Sequence, residues 1–274
     1  MRRFYVEAWI AALALCASAA RAGAEVPRQA DARAQIRYAA SIRREGRGLK
    51  GDERIDHLKR VAAGFEAVAA YFPESKSECA EALFRLGEVR RTLGDRAGAV
   101  AAFEGVVANG SHRRFAARAL LEIGNVRRRA KEGAKALEAY ARVVEQYPDE
   151  KGYRDDAWMW TGNVHAAARN HEAARAAWLK VAEEGEDPVD RIRAYDRIAG
   201  SHLVEGKNAE AASTLERCRA AFAELAEEPT SRGSRVKRAL AGMKSAAKIA
   251  DALAKTNREA VEEDPEEEGE GPGG

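Results

Sequence analysis

Apolar and small residues recur along this chain at intervals of 37 or 38 residues. Steps of three and four residues within each interval place them on one face of a helix, and a polar turn separates two such helices. Each interval is therefore predicted to be a helical hairpin, and five are predicted, at 28–73, 76–110, 112–148, 151–186 and 188–226. The large residue of each hairpin is Phe65, Phe103, Tyr140, Trp178 or Leu215.

A small residue lies sixteen positions before the large one in four of the hairpins. These residues are Gly87, Gly124, Gly162 and Ala199. Glycine inside a helix costs about 1 kcal/mol relative to alanine, so its return at a fixed position needs a repeated reason. We expect the missing side chain on one helix to make room for the large side chain of its partner.

Both ends of the chain differ from the repeats in composition. Residues 1–24 combine a basic start, an apolar run from Trp9 to Ala20 and small residues, the order typical of a secretory signal peptide. An ordinary amphipathic helix and a lipid anchor at Cys16 are alternatives. Residues 259–274 hold eight acidic side chains and no basic one, which predicts a disordered acidic tail.

Residues 229–258 follow the last hairpin and carry one apolar stripe, which includes Val236, Met243 and Leu253, with Lys and Arg opposite. The pattern predicts an amphipathic helix that caps the repeats, because a repeat array needs a terminal element with a polar outer face. Such a basic helix could instead lie on a membrane or bind a partner.

Composition and charge support a helical protein with a basic body. Ala, Arg, Glu and Leu dominate, and 33% of residues are charged, which favours an all-α fold. The whole chain has a formal charge of +2, but removing the ends leaves residues 25–258 at +8. The acidic tail is thus a candidate occupant of a basic surface on the same chain. Cys79 and Cys218 are too far apart along the repeats for a disulfide.

The pattern of a large residue, Leu-Gly, a small Ala at the start of the second helix, an aromatic ring and a closing Pro resembles the tetratricopeptide repeat. Segments Ala69–Val89 and Val143–Val164 are similar to the periplasmic repeats of outer-membrane-assembly lipoproteins and Tol–Pal accessory proteins. The family usually has Tyr three residues after the Gly, where this chain has Arg90, Arg127, His165 and His202. The resemblance implies an all-α, right-handed superhelical solenoid of about five hairpins, over 25–228, plus the C-terminal capping helix.

The resemblance also implies a concave groove that is lined by the first helix of each hairpin and binds a partner. The candidate partner-binding residues at these positions are Phe84, Glu88, Arg91, Arg118, Leu121, Asn125, Arg128, Met159 and Asn163, with Arg193 and Asp196 further on. Asn125 and Asn163 occupy matching places, and an amide can donate to and accept from a peptide backbone. The arginine concentration between Arg91 and Arg129 favours an acidic partner segment.

Nothing in the sequence predicts catalysis. The five histidines form no HExxH or other metal-type spacing, and no phosphate loop or GxSxG motif occurs. We therefore predict no catalytic residues, no metal and no cofactor. The predicted function is a non-enzymatic scaffold or adaptor of the bacterial cell envelope, exported to the periplasm, that binds a protein segment and no nucleic acid. Membrane contact would be peripheral at most. The alternative is a self-associating structural scaffold or an envelope-biogenesis component, and the sequence leaves the oligomeric state open.

Overall fold

The computed structural model describes residues 26–263, and all regular secondary structure in this range is α-helical. Ten of the helices form five successive hairpins, which confirms the predicted all-α hairpin fold. Their bounds are α1 Ala32–Glu45 and α2 Gly51–Tyr71, α3 Lys76–Thr92 and α4 Arg96–Asn109, α5 Arg113–Arg129 and α6 Gly133–Gln146, α7 Lys151–Ala167 and α8 His171–Glu184, and α9 Pro188–Val204 and α10 Asn208–Glu227. Two more helices follow, α11 Ser231–Ala241 and α12 Lys244–Glu263. The predicted signal peptide and the tail from residue 264 lie outside the described residues.

Four of the hairpins turn through the same three-residue connection. The second residue of each turn has a left-handed backbone, and it is glycine at Gly94 and Gly206 but Lys131 and Arg169 in the other two turns. The next N–H bonds back to a carbonyl in the last turn of the first helix, as in Asp95 N to Arg90 O at 3.0 Å. This closing bond satisfies carbonyls that would otherwise be left without partners at the helix end.

The helical glycines fit the large side chains as the register predicts. A Cβ atom placed on Gly87, Gly124 or Gly162 would lie 2.3–2.5 Å from a ring atom of the residue sixteen positions later. Those rings, Phe103, Tyr140 and Trp178, are all buried. In the fifth hairpin the same two positions hold Ala199 and Leu215, both buried, so a side chain without a ring accompanies the added methyl group.

The described residues divide into two compact units, one ending at Ala157 and the other beginning at Trp158, so the boundary falls within α7. In the first unit each helix from α1 to α5 packs on the next, and the first helices of neighbouring hairpins also touch, α1 with α3 and α3 with α5. In the second unit α9 packs on α8 and α10, and both α11 and α12 pack on α9 and α10.

The prediction of a single helix over residues 229–258 is wrong, because two helices lie there. Gly242 ends α11 with its N–H bonded to Arg238 O, and a new helix begins at Lys244. Asp196 of α9 fixes that break, because its carboxylate accepts from Ser245 N at 2.9 Å and from Lys244 N at 3.2 Å. The prediction that disorder begins at residue 259 is also wrong for its first five residues, since α12 continues to Glu263.

Both cysteines of the described range are free and buried. Burial raises the pKa of the Cys218 thiol to about 12, which makes it a poor nucleophile at neutral pH. Between residues 26 and 263, no helix has the length and apolar character that crossing a bilayer requires.

Candidate protein-binding site

Several of the predicted groove residues in the first unit are engaged with each other. Glu88 of α3 accepts from Arg85 at 3.2 Å and from Arg118 of α5 at 3.3 Å. The Arg118 guanidinium also lies 4.3 Å from the centre of the Phe84 ring, the geometry of a cation–π contact. Glu88 and Arg118 therefore join the first helices of two hairpins.

Two of the predicted contact residues are core residues instead. Phe84 is fully buried against Phe103 and Phe115, and Leu121 is 6% exposed. Their burial disfavours direct contact with a partner, because neither presents a usable surface. The register places the two residues on α3 and α5 but does not fix the depth of each side chain.

The arginine concentration that favours an acidic partner is largely paired within the first unit. Arg91 forms an ion pair with Glu122, and Arg127 bonds Glu132 at 2.7 Å. Arg113 donates to Gln146 O at 3.4 Å and lies over the Tyr147 ring. These cations stabilise neighbouring helices, which leaves fewer of them for an acidic partner than the sequence suggests.

Asn125 is held by the large residue of its own hairpin. The Tyr140 hydroxyl donates to Asn125 Oδ1 at 3.0 Å. Burial raises the pKa of Tyr140 to about 12, although a hydrogen bond with Arg128 acts in the opposite direction. The Tyr140 hydroxyl thus keeps its proton at neutral pH and donates it to Asn125, which orients the amide.

The matching Asn163 has a different environment because its hairpin carries Trp178 instead of Tyr. The Trp178 Nε1–H donates to Met159 O at 3.2 Å and not to the amide. Within the described part of the chain, the covered Asn163 Oδ1 has no hydrogen-bond partner. The equivalence of the two asparagines in sequence therefore does not extend to their bonding.

The second unit contains an open groove of about 1470 Å³. It is bordered by the end of α7, by His171 and Trp178 of α8, by one face of α9 and by the first turn of α12. α12 contributes because Asp196 holds its N-terminus against α9, with the Ser245 hydroxyl donating to Asp196 Oδ1 at 2.5 Å. The C-terminal helices are thus part of the groove's wall.

The groove is basic. Arg193 and Arg197 enter it from α9, and Lys244 and Lys248 enter it from α12. Its two acidic side chains have partners within the protein. Asp196 accepts hydrogen bonds from the start of α12, and Glu205 forms ion pairs with Arg175 and Lys207.

An apolar strip accompanies these charges. Trp178 borders the groove but is only 4% exposed, and the Arg197 guanidinium lies 5.9 Å from its ring centre. Val204, at the end of α9, is 72% exposed. Gly200 lies one residue after the packed Ala199, and a Cβ atom on it would meet nothing within 4 Å. The groove therefore combines cations, an apolar rim and a stretch of bare helix backbone.

Arg197, Gly200, Lys244 and Lys248 are absent from the predicted site. A glycine outside the repeated packing position was a usable signal, because Gly200 stands beside Ala199, which already fills that position. The lysines could not be assigned to the groove from the sequence, since a single long C-terminal helix would carry them elsewhere.

Catalytic groups do not converge in the groove. Ser201 Oγ and His171 Nδ1 are 3.4 Å apart, but Ser201 is buried and its oxygen also accepts from Arg175 at 3.1 Å. That contact holds the hydroxyl as a structural group. Across residues 26–263, no three His, Cys, Asp or Glu side chains are arranged to hold a metal ion.

Residues 62–113, 84–151 and 152–190 match the family model of the tetratricopeptide repeat. Residues 62–190 therefore consist of tetratricopeptide repeats. Such repeats are generally non-catalytic scaffolds for protein–protein interaction, and they stack so that the first helices present an extended binding surface.

Solved tetratricopeptide structures share the fold at low sequence identity. The fragment of MamA from residue 41 to its end, from Desulfovibrio magneticus RS-1, is 18% identical with a TM-score of 0.50, over 69% of this chain and 94% of that one. A double mutant of MamA from strain RS-1 is 18% identical with a TM-score of 0.51, over 69% and 93%. These likenesses concern the fold alone. A search of curated proteins found no significant match.

Proposed function

We propose that this protein is a non-enzymatic adaptor of the bacterial cell envelope that holds a segment of another protein in the groove of its second unit. Tetratricopeptide repeats make protein binding the expected activity. The signal-peptide pattern of residues 1–24 supports export to the periplasm.

The observation that carries the proposal is the open groove bordered by α7, α8, α9 and α12. Ligand-binding clefts are concave and mix apolar surface with a few polar groups, and this groove has both. The predicted positions in the first unit are less suitable because Phe84 and Leu121 are buried and Glu88 is already bonded to two arginines.

Blocking the groove tests the proposal. Gly200→Trp should obstruct part of the groove without disturbing the fold, because the new side chain meets no atom near its Cβ. Gly152→Trp is the matched control, since its Cβ also points into open space and Gly152 does not border the groove. Envelope extract is passed over each immobilised protein, and bound proteins are identified by mass spectrometry.

We expect one set of proteins to bind the wild type and Gly152→Trp but not Gly200→Trp. Binding that survives Gly200→Trp would refute the groove as the site. Export is tested separately by the mass of the protein recovered from the envelope fraction, where removal of 22 or 24 residues is expected.

A further inference from the structure

We infer that the occupant of this groove is an acidic segment of a partner protein, with carboxylates facing Arg197, Lys244 and Lys248 and an apolar side chain against Val204. The inference rests on the proposed function and adds the chemical class of the partner.

Charge complementarity is the first argument. Arg197, Lys244 and Lys248 form no salt bridge with any residue in the described part of the chain. Arg193 does pair with Asp190 at 2.7 Å, but both side chains are exposed, and such pairs contribute little. Cations that converge from two helices repel each other, so carboxylates placed between them relieve the repulsion.

Arg197 gives the site its geometric preference. Its guanidinium lies over the Trp178 ring, and desolvation lowers its pKa while nearby Asp196 acts to raise it. A partly desolvated arginine gains more from a carboxylate than a fully hydrated one, and its planar fork can make two parallel hydrogen bonds.

The apolar rim supplies the second requirement. Val204 is one of the few large apolar side chains that the described structure leaves exposed, and it borders the same groove. An acidic segment with one aliphatic or aromatic residue would cover it, whereas a purely acidic segment would leave it in water.

The chain's own acidic tail is the other source of carboxylates, and the length of α12 keeps it near the limit of its reach. Lys248 lies fifteen residues before the end of α12, which is about 22 Å at the helical rise. Glu270, the last tail acid, follows that end by seven residues and spans about 24 Å when fully extended. Glu270 could thus reach Lys248 only with the intervening residues fully extended, and Lys244, about 28 Å away, only with the lengths of both side chains added. A separate molecule has no such restriction, and we therefore assign the carboxylates to a partner protein.

The test measures binding of a fluorescent decapeptide that contains four glutamates and one phenylalanine. The reference peptide replaces the glutamates with glutamine. Arg197→Gln with Lys248→Gln removes two groove charges, and Arg219→Gln with Arg232→Gln removes two exposed charges of the same unit outside the groove. Fluorescence anisotropy at 0.15 M salt gives the dissociation constants for the full chain and each variant.

We expect the glutamate peptide to bind the wild type at least tenfold more tightly than the glutamine peptide. The groove pair should weaken it about tenfold, and the outside pair less than twofold. Equal binding of the two peptides, or equal effects of the two pairs, would overturn the inference. Loss of partner capture by Gly200→Trp together with equal peptide binding would leave the adaptor function intact and reject only the acidic class.

Two additional arms separate other occupants. Deleting residues 264–274 should change affinity less than twofold, and a fivefold gain would mean that the tail occupies the groove, contrary to the inference. A single-stranded oligonucleotide of twelve nucleotides should compete more weakly than the glutamate peptide. Stronger competition would assign the basic groove to nucleic acid and reject a protein partner.

Discussion

Replacing Gly124 with alanine tests the packing rule that defines the repeats. The new Cβ would lie 2.3 Å from Tyr140 Cε1 and 2.6 Å from Cδ1. Carbon atoms pack at about 3.5–4.0 Å, so the ring or the helix must shift by at least about 1.2 Å. Tyr140 is fully buried and bonded to Asn125, which leaves little freedom for such a movement.

The expected loss follows from three terms. Overpacking of a core costs about 1–3 kcal/mol, and weakening the bond between Tyr140 and Asn125 costs about 1 kcal/mol. The higher helix propensity of alanine offsets about 1 kcal/mol of this loss in stability. The free energy of unfolding should therefore fall by about 2 kcal/mol.

Gly200→Ala is the matched control because the same chemical change occurs there in open space. It should raise the free energy of unfolding by about 0.5–1 kcal/mol. Urea denaturation followed by circular dichroism measures both variants, and hydrogen exchange over residues 113–146 localises the loss in Gly124→Ala, since two units need not unfold together. The reasoning is refuted if Gly124→Ala is as stable as the wild type or if both variants shift in the same direction.

A second substitution should partly repair the first. The fifth hairpin shows the compatible pair, Ala199 with Leu215, so Gly124→Ala with Tyr140→Leu recreates it. Tyr140→Leu alone should be destabilising because it empties ring volume and leaves Asn125 Oδ1 without its donor. The double variant should be at least 1 kcal/mol more stable than the sum of the single effects, as expected for residues in contact. Strict additivity would show that the glycine and the ring do not determine each other.

Three further predictions address the turns, the C-terminal helices and an inter-hairpin ion pair. Lys131→Gly and Arg169→Gly should each stabilise by about 0.5–1 kcal/mol in urea denaturation, because both residues hold a left-handed backbone that glycine adopts freely; a loss of stability would contradict this. Asp196→Ala should speed hydrogen exchange over residues 244–255, since it removes the acceptor for two backbone N–H groups, and unchanged exchange would exclude that role. Arg90→Ala should cost about 2 kcal/mol because it leaves Glu66, 12% exposed, without its partner; a loss below 0.5 kcal/mol would mean that the pair contributes little.

The hairpins were predictable from sequence because one physical constraint repeats. A small residue opposite a large side chain produces a sequence pattern that is recognisable whether the large residue is Phe, Tyr, Trp or Leu. The turns were harder to predict, because glycine indicates the left-handed residue only at Gly94 and Gly206. Lys131 and Arg169 have the same backbone conformation without a glycine to mark it. A pattern based on residue type alone misses a backbone state that two residues adopt at some energetic cost.

The predicted groove residues succeeded less well because register fixes a helix face but not the partners across it. Arg91 and Arg118 lie on that face, but each forms an ion pair within the protein. Arg91 pairs with Glu122, and Arg118 pairs with Glu88. Predicting such pairs requires the distance between helices, which no periodicity in a single sequence supplies. Arg90, at the position where the family usually has Tyr, is a further example. It forms an ion pair with Glu66 of α2, and the sequence pattern did not predict that partner.

The break at Gly242 connects the end of the repeats to the proposed binding site. If residues 229–258 formed one straight helix, its C-terminal half would continue in the direction of α11 and the chain would not turn at Gly242. Asp196 instead captures the start of α12, so Lys244 and Lys248 join Arg193 and Arg197 of α9 along one groove. The Asp196 carboxylate keeps its charge, but four basic side chains against Asp196 and Glu205 leave the groove with an excess of positive charge. Asp196 thus places the C-terminal wall, and with it the two lysines that an acidic segment would meet.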